Sequence, residues 1–131
     1  MIRLSKRLVS SFTVNPDDSV ICLCLNTSAR TCVIALAEAH SDAVTTLKGV
    51  RLEVSAWSDV HIYLHHEGNS VYMDHLPDEP SDICEFRYEE KELFLAGFLR
   101  KAQGWYTLTF RDPQICVEYD AEEKQIPHAL P

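Results

Sequence analysis

The side chains of this 131-residue chain best suited to chemistry are its six histidines and five cysteines. A metal ion is the first use to weigh, because neutral imidazole and thiolate are common transition-metal ligands. His61 and His65 share one face of a strand-like segment. At about 3.3 Å of rise per residue they stand roughly 13 Å apart, beyond the reach of two zinc–nitrogen bonds of about 2 Å. His65 and His66 are adjacent, so they point to opposite faces. His75 is able to approach His61 or His65 from a neighbouring strand, which keeps a small-ligand or metal-binding β-barrel open as an alternative. Cys22 and Cys24 fall on one strand face, but no second pair follows at zinc-site spacing. Neither a metal nor any other cofactor is expected.

Catalytic sets are equally hard to assemble. Cys22, Cys24, Cys32, Cys84 and Cys116 each lie in an apolar, strand-like segment, and their odd number cannot close fully into bridges. They are expected to be reduced and poorly accessible, acting as small hydrophobes. A nucleophilic cysteine needs an electropositive setting. Cys84 and Cys116 are flanked by acids and apolar residues, which raise a thiol pKa instead. No Gly-X-Ser-X-Gly elbow occurs, and Gly49, Gly68, Gly97 and Gly104 do not cluster into a phosphate-binding loop. Paired carboxylates abound in any acidic chain and decide nothing. The expectation is a protein that is not an enzyme.

The elements that position these residues are read from hydrophobic period. Val50, Leu52, Val54 and Ala56 alternate with Arg51, Glu53, Ser55 and Trp57. Val60, Ile62 and Leu64 alternate with His61, Tyr63 and His65, and Tyr106, Leu108 and Phe110 with Trp105, Thr107 and Thr109. Side chains that alternate in this way mark half-buried strands. Strands are predicted over 6–14, 19–25, 32–36, 50–57, 60–66, 70–75, 83–89, 92–99, 104–111 and 115–120. Asn15-Pro16-Asp17-Asp18, Glu67-Gly68-Asn69, Glu89-Glu90-Lys91, Gln103-Gly104 and Asp112-Pro113 read as turns between them. Ser41, Asp42 and Gly49 fit an N-cap, a first-turn acid and a stop, so one short helix is predicted near residues 41–48. The predicted fold is mainly β: an antiparallel β-sandwich or strongly curved sheet of about ten short strands with that one helix. Residues 1–131 make a single domain, with a frayed tail after about residue 121. Val54, Ile62, Leu64, Leu95, Leu108 and Val117 are expected in the core.

Charge divides the chain. The net charge is −8. Residues 1–51 hold six basic and four acidic residues, so the remaining eighty hold six and sixteen, a balance of −10. Asp74, Asp78, Glu79, Asp82, Glu85, Glu89, Glu90 and Glu92 crowd one stretch, opposed by Arg87 and Lys91. Such a field repels nucleic acid and anionic membrane and steers a basic protein partner inward. Pro77 and Pro80 stiffen the loop within it. Trp105 and Trp57 each fall out of phase with the apolar positions of their strands. Each reads either as an exposed binding anchor or as core beneath a loop. The candidate partner-binding residues are therefore Asp74, Asp78, Glu79, Asp82, Glu85 and Trp105.

Leu95, Gly97, Phe98, Gly104, Trp105 and Phe110 form a pattern that resembles the C-terminal hairpins of small acidic bacterial proteins, either uncharacterised or grouped with toxin-immunity families. The likeness covers about the last quarter of the chain and carries no functional residue with it. It implies a non-enzymatic, partner-binding role in a bacterium. Joined to the acidic balance, it gives the leading expectation: an acidic protein-binding module, an immunity-type inhibitor of a basic toxin domain. A structural or assembly subunit that pairs strand edges is the third reading. A monomer or homodimer is expected. The first residues are too short and polar a run for a signal-peptide core, so the expected compartment is the cytoplasm.

Overall fold

The computed structural model describes residues 4–7, 12–14, 20–101 and 104–124. Within them the strands are β1 (Leu4–Arg7), β2 (Val20–Asn26), β3 (Thr31–Asp42), β4 (Thr45–Ser55), β5 (Asp59–His66), β6 (Asn69–Met73), β7 (Glu85–Glu89), β8 (Glu92–Phe98), β9 (Trp105–Arg111), β10 (Gln114–Tyr119) and β11 (Ala121–Lys124). A six-stranded sheet runs β1-β10-β4-β3-β2, with β11 continuing alongside β4 beyond β10. A five-stranded sheet runs β6-β5-β9-β8-β7. Every pairing is antiparallel.

Alternation explains how the two sheets face each other. Leu23, Cys32, Ile34, Leu52, Val54 and Val117 are buried from the first sheet, and Ile62, Phe86, Leu93, Leu95, Leu108 and Phe110 from the second. All belong to one contiguous core, which makes the architecture an antiparallel sandwich. Burying each such side chain is worth about 1.5–3 kcal/mol, so the shared inner layer supplies the dominant stabilisation. Of the six expected core positions, five are fully buried, and Leu64 is half-buried on the open side toward β6.

Turn chemistry sets the register of the five-stranded sheet. His66 pairs with Asn69, leaving a two-residue turn of Glu67 and Gly68, both at positive φ. Glu89 pairs with Glu92 across Glu90 and Lys91, again both at positive φ. Two-residue turns of this hand match the natural twist of the strands they join. The chain changes sheet at Ala56–Ser58 and again at Asp112–Pro113.

The predicted helix near residues 41–48 does not form. Residues 41–42 finish β3, 43–44 turn, and β4 begins at Thr45. Asp42 Oδ1 accepts the N–H of Val44 at 2.9 Å. This is Asx-turn chemistry, which draws on the same residue types as a helix N-cap. The β-branched Val44, Thr45 and Thr46 then favour strand, and Ala39 pairs with Leu47 across it. The tail also differs from expectation, because Ala121–Lys124 pair in order with Lys48–Thr45. The segment is held in register by this pairing although all four side chains are exposed. The turn read at 15–18, residues 8–11 of the first predicted strand, Gln103 and the chain beyond residue 124 lie outside the described residues. No helix among the described residues is long and apolar enough to cross a membrane.

Candidate partner-binding face

The outward side chains of the five-stranded sheet form rows across it. One row runs Ser70, His65, Trp105, Phe98 from β6 to β8. The next runs Tyr72, Tyr63, Thr107, Ala96, Glu85 from β6 to β7. Tyr63, Tyr72, Phe98 and Trp105 are 36%, 58%, 52% and 43% exposed, four of the six large hydrophobic side chains exposed among the described residues. His65 lies between the tryptophan and the tyrosines, with its ring 6.2 Å from that of Tyr63. The Trp105 indole stacks on His65 with centroids 4.1 Å apart, and Tyr63 meets Tyr72 edge-on at 5.5 Å.

Polar contacts fix the centre of this face. The two ring nitrogens of His65 lie 2.7 Å from Ser70 Oγ and 3.1 Å from Thr107 Oγ1. Gly104 places the tryptophan. Its φ is +98°, and a Cβ there would come within 2.3 Å of the His65 carbonyl oxygen. Only glycine allows the chain to pass that close and enter β9. Trp105 then stands between two clefts. One, of about 460 Å³, is bounded by His65, Glu67, Asn69, Ser70 and Gly104. The other, of about 230 Å³, is bounded by Cys84, Glu85, Ala96, Gly97 and Phe98.

Of the residues expected to bind a partner, the structure brings Glu85 and Trp105 together. The others sit elsewhere. Asp82 is a fastener: its Oδ1 accepts the N–H of Phe98 at 2.9 Å, and its carbonyl accepts the Tyr106 hydroxyl at 2.9 Å. Gly97 exists for this contact, since a Cβ would meet the Asp82 carbonyl oxygen at 2.3 Å. Asp78 accepts the N–H groups of Glu79 and Lys101, and the Glu79 carbonyl accepts the N–H of Arg100. These bonds sew the acidic loop to the β8–β9 connection. Asp78 and Glu79 line a separate cleft with Cys24 and His75 beside β2. Asp74 is exposed and accepts from His75 at 2.6 Å, and this contact holds its carboxyl below the usual range.

His61, His65 and His75 each have a partner of their own. His61 contacts Asp59 at 3.0 Å, His65 is engaged as above, and His75 sits against Asp74. Among the described residues, no three of His, Cys, Asp and Glu come close enough to hold a metal ion. The cysteines differ from expectation. Cys32 is buried, and burial pushes its thiol up to about 12, but Cys24 and Cys116 are exposed. The last two stand at outward positions of the six-stranded sheet, opposite Val33 and Glu53. Trp57 is the core tryptophan, 2% exposed and 4.7 Å from the Phe110 ring.

Sequence reasoning missed Tyr63, Tyr72 and Phe98. The available signal was their position: each is a large aromatic on the non-core phase of an alternating strand. Compared with protein-family models, with curated proteins and with solved structures, the chain matches none of them.

Proposed function

We propose that the protein is a non-enzymatic binding module for a basic protein, acting through the outer face of its five-stranded sheet. One observation carries this reading: Tyr63, Tyr72, Phe98 and Trp105 stay exposed together on one face, with Glu85 and Glu67 beside the tryptophan. A contiguous apolar patch rimmed by charge is what a binding surface requires, and aromatic anchors carry most of the energy of such interfaces. The face is also stiff, because each anchor stands on a strand, so docking orders little that is loose. The net charge of −8 favours a basic partner and fast, salt-sensitive association. An immunity-type inhibitor of a basic toxin domain is the specific form of this reading.

The test measures association and dissociation with a basic partner protein across salt, for the native chain and for Tyr72→Ser and Trp105→Ser. The reading predicts association that slows steeply as salt rises and dissociation at least about tenfold faster in both variants. Flat salt dependence, or variants that bind as the native chain does, would refute it.

A further inference from the structure

We propose that the cleft between Glu85, Phe98 and Trp105 is a guanidinium site, which receives an arginine side chain of the basic partner. This rests on the binding reading above and names the chemistry that the face recognises. Strand register builds the cleft. Phe98 stands directly opposite Trp105, and Glu85 directly opposite Ala96, all on the outer side. Ala96 and Gly97 are small, so the floor is low between two rings and a carboxylate. The volume of about 230 Å³ is several times the roughly 30 Å³ of a water molecule, room enough for a planar guanidinium. Both rings are about half exposed, His65 covers one face of the Trp105 indole, and a cation is attracted over the face of an aromatic ring. Glu85 is exposed at the rim, where its two oxygens match the fork of a guanidinium.

The same face already holds one such pair. Arg87 lies on β7, opposite Phe94 on β8, and its guanidinium carbon sits 4.7 Å from the centre of the Phe94 ring. Two residues earlier on β7 the outward position is Glu85, and the neighbouring outward ring on β8 is Phe98. One row therefore carries its own cation over a ring, the next carries the anion Glu85, and the row beyond it carries the Phe98 and Trp105 rings. Local electrostatics agree with a site for a cation. The Cys84 thiol at the cleft is pushed above its ordinary pKa, by burial first and then by the charges of Asp82 and Glu85. Lysine fits less well, because an ammonium is a compact point charge that does not stack flat on a ring.

The probes are N-acetyl-arginine amide and its lysine and citrulline counterparts. The readout is the pair of indole N–H resonances, one for each tryptophan. Buried Trp57 serves as the internal reference. The arginine probe should shift the Trp105 signal saturably in the millimolar range and leave the Trp57 signal in place. Lysine should bind several-fold more weakly, and neutral citrulline at least about tenfold more weakly. Glu85→Gln should weaken arginine binding about tenfold, and Phe98→Leu should weaken it while keeping an apolar side chain in place. Equal binding of lysine, retained binding of citrulline, or an unmoved Trp105 signal would each overturn the guanidinium site. These results are separable from failure of the functional reading. An unmoved Trp105 signal with Trp105→Ser still speeding partner release removes the arginine site alone. Arginine binding as described, with partner kinetics unchanged in Trp105→Ser, removes the functional reading alone.

Discussion

The two sheets turn their outer faces to solvent by the same alternation, and the faces differ in chemistry. Across the six-stranded sheet one outward row reads Cys116, Glu53, Val33, Cys24, and its neighbour reads Glu118, Arg51, Ala35, Cys22. Among the described residues, none of these is a large exposed hydrophobic side chain. Across the five-stranded sheet the rows hold His65, Trp105 and Phe98, then Tyr72 and Tyr63. Folding needs only the inner residues of both sheets, so small and charged outer residues serve the fold as well as aromatic ones. The lesson is that period two decides which side is core, while the opposite phase, free of that demand, is where the two faces differ in chemistry.

The sharpest way to break this contrast is to move one residue inward. Leu108 lies fully buried on β9 between the outward Thr107 and Thr109 positions. Leu108→Ala should cost roughly 2–5 kcal/mol in denaturant unfolding, whereas outward truncations should cost far less. A loss below about 1 kcal/mol would mean that the inner layer is not the shared core described here.

Alkaline titration tests the inner layer of the other sheet. Cys32 is buried and its thiol is pushed up to about 12, against about 9 when free. The folded chain thus keeps a proton that the unfolded chain releases, so stability is lost as pH rises. Between about pH 9 and 12 the loss attributable to this group should be roughly 1 kcal/mol per pH unit, and Cys32→Val should remove that part of the slope. An unchanged slope in the variant would place Cys32 in contact with water. Exposed Cys24 and Cys116 should meanwhile react quickly with a thiol reagent in the native protein.

A smaller loss is expected where the outer face is fastened from below. Gly97→Ala sets a Cβ against the Asp82 carbonyl and should cost about 1–3 kcal/mol, with the Glu85–Phe98 cleft disturbed. No loss in thermal melting would show that the loop does not press on β8.

Least stability should be lost at the outer residues themselves. Trp105→Ala gives up its stacking on His65 and should cost about 1 kcal/mol or less. Val33→Ser on the six-stranded face should change stability by a similarly small amount and leave binding unaltered. A large drop in melting temperature for Trp105→Ala would assign that residue to the core instead.

Much of the fold was legible in the sequence, and the exceptions have physical causes. Alternation at Val50–Val54, Val60–Leu64 and Tyr106–Phe110 placed those strands and their core faces correctly. For Trp57, out of phase with its strand, the core reading holds, because β4 ends at Ser55 and Ala56 takes φ +53°, which turns the next side chain inward. Trp105, equally out of phase, stays out because β9 runs regularly from it. Ser41 and Asp42 misled because helix caps and Asx-turns use the same side chains. The exposed β11 has no alternation to read. The candidate site was half legible. Glu85 and Trp105 stood among the candidates, but they converge only through the pairing of β7, β8 and β9, which no local pattern displays. Asp78 and Asp82 read as free acids, yet backbone N–H groups of Lys101 and Phe98 use their oxygens.

The central claim is that one outer face binds and the other does not. Site-specific photo-crosslinking in the living cell tests it directly, with a benzophenone amino acid placed in turn at Tyr72, Phe98 and Val33. The account predicts adducts with a basic protein from Tyr72 and Phe98, suppressed by Trp105→Ser, and none from Val33. Adducts from Val33 as strong as those from Phe98, or none from Tyr72 and Phe98, would contradict it.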